Sequence, residues 1–93
     1  MCIVNIRDIL SSHANLPDAG VELYKIIVCA INSDDKVVAN MEGVTSLPSI
    51  FLNVSLGKII DDYDIETLKK HISFSNITRS QAERLKDYLI RYN

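Results

Sequence analysis

Thr45, Ser46 and Ser49 put three hydroxyls within five residues, beside Pro48 and just ahead of an apolar run. Hydroxyls and free backbone N–H groups at a strand-to-helix turn suit an anion or a partner's surface. That chemistry describes a binding loop and leaves its ligand open. The remaining candidates point less far. His13 lies in a turn-rich stretch and reads as solvated. His71 lies at a strand start and reads as structural. Neither has an evident activated nucleophile near it in sequence. Cys2 and Cys29 are too few and too far apart for a disulfide framework or a zinc site. Cys29 falls in an apolar helical pattern, where a small buried thiol is expected. Asp61, Asp62, Asp64 and Glu66 offer oxygen ligands, but the EF-hand spacing and its glycine are absent, so no metal site is expected. Asp64 reads instead as a helix cap. There is no G-x-G-x-x-G, Walker loop, H-E-x-x-H, C-x-x-C or G-x-S-x-G. An unactivated serine is a poor nucleophile. The expectation is a non-enzymatic protein with no catalytic residue and no cofactor.

The elements that must position these side chains follow from pattern. Cys2 to Ile6 is short and β-branched, a first strand. Arg7 to Asp18 is rich in Ser, Asn, Asp and Pro and reads as a loop. A helix starts at Asp18 or slightly earlier at Asn15 and runs to about Asn32, with Leu23, Ile27, Ala30 and Ile31 on one face. Lys36 to Met41 is a second strand, making a βαβ unit whose crossover should be right-handed. After a loop over 42–49, one helix is expected from about Ile50 to Asp62. Leu52, Leu56, Ile59 and Tyr63 share a face of it, and Phe51 and Val54 make it apolar on a second side. A short helix (Ile65 to Lys70), a third strand (His71 to Ser75) and a final helix follow. Thr78 and Gln81 have capping-box spacing at that last helix, and Ala82, Leu85, Leu89 and Tyr92 face inward. The order β-α-β-α-(α)-β-α predicts an α/β fold: a small, mostly parallel sheet of three to four strands packed by helices. Residues 1–93 are read as a single domain.

Composition narrows the partners. The 93 residues are 47% apolar with a net charge of −2. Scattered signs and a small net charge give no electrostatic case for nucleic acid or acidic lipid. No apolar run approaches the ~20 residues of a membrane span. The N-terminus lacks a basic segment followed by a long apolar one, so a cytoplasmic protein is expected.

One resemblance extends over nearly the whole chain. Asn40-Met41-Glu42-Gly43-Val44, then Ser49 with Phe51, then Leu56-Gly57-Lys58-Ile59-Ile60, resemble the strand end, serine loop and helix of the STAS-like domain family. Leu68 to Ile77 resembles its closing strand, and Ala19-Gly20 its entry to the first long helix. The resemblance implies a fold akin to the STAS domains of anti-sigma-factor antagonists. It also implies docking through the 43–58 loop and helix onto a histidine-kinase-like ATPase. Thr45, Ser46, Ser49, Ile50, Asn53, Val54 and Lys58 are then the partner-binding residues. The usual phosphoacceptor position is Ile50 here and the usual strand-end acid is Asn40. Ser49 is the phosphoacceptor candidate that remains, and a constitutive docking module is expected in place of a phospho-switch. The alternative expectation is a structural subunit of a bacterial complex that forms homo-oligomers.

Overall fold

The computed structural model describes residues 1–92. Its elements are β1 (Cys2–Asn5), α1 (Ile6–Ser12), α2 (Leu16–Asn32), β2 (Val37–Asn40), α3 (Ser49–Val54), α4 (Leu56–Asp62), α5 (Ile65–His71), β3 (Ile72–Ser75) and α6 (Arg79–Arg91). The three strands form an all-parallel sheet in the order β1-β2-β3. Val4, Ala39 and Phe74 lie abreast, as do Ile3, Val38 and Ser73.

Strand residues alternate between two faces, and the two faces of this sheet differ. Val37 and Ala39 are buried, and Val4, Ile72 and Phe74 pack on the same core. Ile3, one residue out of phase, is 64% exposed. Leu23 and Ile27 of α2, Phe51 and Leu52 of α3, Leu56 and Ile59 of α4 and Leu68 of α5 complete the core on the covered face. The molecule is therefore two layers, helices on one side of a small sheet.

The segment expected as a loop from Arg7 to Asp18 instead contains a helix. Ile6 and Ile9, three apart, bury one face of α1. The hydroxyls of Ser11 and Ser12 turn back onto the carbonyls of Asp8 and Ile9. Polar residues that suggested a turn thus supply their own partners within a helix. At the start of α2, Asn15 Oδ1 accepts from the Asp18 backbone N–H at 2.9 Å, with Pro17 in the first turn. The earlier of the two expected starts is the observed one.

The single helix expected from Ile50 to Asp62 is two. Ser55, fully buried, donates its hydroxyl to the Phe51 carbonyl at 2.8 Å and leaves helical geometry (φ −112°, ψ −85°). A serine bonding back one turn competes with the backbone for that carbonyl and bends a helix. Gly20 of α2 makes the close approach of α3 to α2: a Cβ there would lie 2.1 Å from Val54 Cγ2 and 2.9 Å from the Phe51 carbonyl oxygen. Cys2 and Cys29 are both exposed, against the expectation of a buried Cys29. Cys29 lies off the Leu23–Ile27–Ala30 stripe that α2 turns inward. Ala82 is exposed as well, because α6 turns Leu85 to the core.

Candidate docking site

Asn40 ends β2 and ties the three strand ends together. Its Nδ2 donates to Asn5 Oδ1 at 2.9 Å. Its Oδ1 accepts from Asn76 Nδ2 at 2.9 Å and from the Glu42 backbone N–H at 3.0 Å. A carboxylate at this position could accept but not donate. The residue that departs from the expected strand-end acid is thus the one that stitches β1 to the turn after β3.

The chain then turns through Gly43 at φ +81°, a conformation glycine adopts at little cost. Arg7 lies across this turn, with its Cδ 2.6 Å from where a Cβ on Gly43 would sit. Val44 and Leu47 are buried, which fixes the loop at two points and leaves Thr45 and Ser46 between them exposed.

Helix α6 clips the same loop from outside. Gln81 Nε2 donates to the Val44 carbonyl at 2.6 Å. Arg84 donates through one guanidinium nitrogen to the Leu47 carbonyl at 3.0 Å and to Ser49 Oγ at 2.9 Å. Gln81 uses both ends of its amide. Its Oε1 completes the expected capping box by accepting from the Thr78 N–H at 3.0 Å, while Thr78 Oγ1 accepts from the Gln81 N–H at 3.1 Å. Sequence reasoning found the cap and missed the clip. Gln81, Arg84 and Tyr88 recur at helical spacing on one side of α6, a stripe that reads as a solvated face until its acceptors are known. A hollow of ≈ 310 Å3 lies between loop and helix, with Thr45, Ser46, Leu47, Pro48 and Arg84 in its wall.

The expected docking residues separate into two groups. Thr45, Ser46 and Ser49 are exposed, and Ile50 beside them is a large apolar side chain left 51% exposed. The others are engaged within the protein. Val54 is half-buried and turned toward Gly20. Asn53 Oδ1 accepts from the Tyr88 hydroxyl at 2.7 Å. Lys58 lies 3.5 Å from Asp62 and over the Tyr24 ring at 5.4 Å. Asn53 and Lys58 therefore belong to the α3–α6 and α2–α4 seams, and a charge introduced at the first or reversed at the second disturbs packing as well as any partner.

These seams set the electrostatics beside the loop. Burial, with help from neighbouring Tyr92 and Asp61, pushes the Tyr88 hydroxyl up to about 12. The hydrogen bond from Tyr24 to Asp62, 2.5 Å long, pushes Tyr24 up to about 12. The same bond holds the Asp62 carboxyl below its usual range, with Lys58 adding to it. Three of the four acids in the run are likewise spoken for by protein groups: Asp61 accepts from Tyr92, Asp62 from Tyr24, and Asp64 caps α5 by accepting from the Thr67 N–H at 2.7 Å. His13 is half-buried with Nε2 3.1 Å from Glu22, which corrects the reading of a solvated loop histidine. His71 is buried at the end of α5 with Nδ1 2.9 Å from the Thr67 carbonyl.

The family described as a STAS-like domain of unknown function (DUF4325) matches residues 19–82, from the first turn of α2 into the first turn of α6. No curated protein and no solved structure matches. Gln81 lies inside the matched residues, and Arg84 and Tyr88 lie beyond them.

Proposed function

The chain belongs to the family of STAS-like domains of unknown function, and from that premise we propose that it is a non-enzymatic regulatory module that docks a protein partner. The docking surface is the loop of residues 43–50 with the start of α3, and the partner is a histidine-kinase-like ATPase of the kind that recognises STAS domains. The carrying observation is Ile50, half-exposed at the start of α3, next to a loop held at Val44 and Leu47 from inside and by Gln81 and Arg84 from outside. A pinned loop loses little conformational freedom on binding, and an apolar side chain ringed by hydroxyls is the composition of a small interface centre. Ser49 accepts from Arg84, so a phosphate there would have a cation beside it. With Ile50 in the usual acceptor position, docking without phosphorylation is the reading preferred.

The test is titration calorimetry against histidine-kinase-like ATPase domains from the native host. Saturable binding to one of them is expected, weakened at least tenfold by Ile50→Asp. Arg84→Ala, which releases the loop without touching Ile50, should weaken it by a smaller factor. Binding that survives Ile50→Asp unchanged places the interface elsewhere. A mass increase of one phosphate at Ser49 after incubation with the partner and ATP would turn the reading to a phospho-switch.

A further inference from the structure

A second surface, remote in sequence from the docking loop, has the composition of a ligand site. Ile65 of α5, Phe74 of β3, Ile77 of the following turn, and Leu85, Leu89 and Ile90 of α6 line an open groove of ≈ 650 Å3. That size is within the roughly 300–1,000 Å3 of small-molecule sites. Ile90 is left 66% exposed along it. The groove's charged lining comes from two lysines, Lys69 on the α5 wall and Lys86 on the α6 wall. Among the described residues, neither ammonium has a carboxylate within ion-pair distance.

The lining is informative for what it omits. It holds no hydroxyl, amide or carboxylate side chain. A sugar, a nucleobase or a peptide backbone would bury donors and acceptors here without partners, at a cost of roughly 1–3 kcal/mol each. A ligand that fits has an apolar body and one anionic head. We propose that this groove binds a single-chain alkyl carboxylate, with the chain along Phe74, Leu85 and Leu89 and the head between Lys69 and Lys86. The site is independent of the docking loop, and neither reading depends on the other.

Titration of the full chain with decanoate below its aggregation concentration, followed by backbone and methyl NMR, tests this. Saturable one-to-one binding is expected, with the largest shifts at Ile65, Phe74, Ile77, Leu85, Leu89 and Ile90. Decanol should bind several-fold more weakly, since two exposed ion pairs contribute about that factor. The double variant Lys69→Glu/Lys86→Glu should lose the preference for decanoate over decanol. Ala82→Phe, which fills the groove from an exposed position, should weaken both ligands. Unchanged thermal melting in both variants shows that the fold is intact. Equal affinity for decanoate and decanol, shifts centred elsewhere, or binding only to decanoate-containing vesicles would each overturn the proposal. So would an acidic amphipathic peptide that occupies the groove when decanoate does not.

Discussion

Single side chains do more than one job in this protein, and the amides show it most clearly. Asn40 uses a donor and an acceptor to join three strand ends, and Gln81 caps α6 with one end and holds the loop after β2 with the other. Among the groups whose protonation the fold constrains are the tyrosines. Tyr88 ionises at about 12 in the folded chain instead of 10, so the folded state favours the neutral hydroxyl. Its contribution to stability is then fully present below pH 10 and is lost as pH rises from 10 through about 12. Tyr24 acts in the same direction. Urea midpoints should accordingly hold steady up to about pH 9.5 and fall above pH 10. Tyr88→Phe should remove one late-ionising group from the tyrosinate absorbance titration. A Tyr88 that titrates at 10 would remove the basis for this window.

At the scale of elements, two short-range features decide how the helices sit. Ser55 breaks the α3–α4 run by capturing the Phe51 carbonyl, which aims Ile50 and α3 separately from α4. Gly20 lets α2 and α3 touch without a side chain between them. Gly20→Ala should improve helix propensity by up to ~1 kcal/mol. It also drives a methyl into the Val54 side chain and the Phe51 carbonyl, and overpacking of this kind costs about 1–3 kcal/mol. The backbone carbonyl cannot rotate away as a side chain can, so the overpacking should win. A net loss of about 1–2 kcal/mol in urea-determined stability is expected. A variant as stable as the parent would mean that α3 can slide along α2, and the loop with it.

For the whole molecule, the question is whether copies of the chain cover the bare side of the sheet. All-parallel sheets are nearly always covered on both faces, which favours the alternative of a homo-oligomeric subunit. The residues there weigh against it. Ile3 and Val38 are the apolar pair, beside Ser73 and the strand-end amides Asn5 and Asn40. A stable dimer needs upwards of about 1,000 Å2 of well-packed surface, and two aliphatic side chains supply little of it. The chain should sediment as a monomer at micromolar concentration. A concentration-dependent dimer that Ile3→Lys dissolves would instead establish the homo-oligomeric reading. No helix is long and apolar enough to cross a membrane among the described residues.

The sequence by itself determined the order of the three strands along the chain, the long helix α2, the capping box of α6 and the family. Each of these rests on local periodicity or on residues close together in the chain, so one-dimensional pattern contains the physics. Tertiary structure decided the rest. The hydroxyls of Ser11, Ser12 and Ser55 look alike in sequence, yet the first two sit within a helix and the third breaks one. Burial of the neighbouring Ile6, Ile9 and Phe51 carries that distinction. The loop of residues 43–50 was legible as a stretch. Its rigidity comes from Gln81 and Arg84, more than thirty residues away, and pairings at that separation leave no periodic trace. The same holds for the apolar groove, assembled from α5, β3 and α6, whose lysines read as ordinary surface charge until their walls meet.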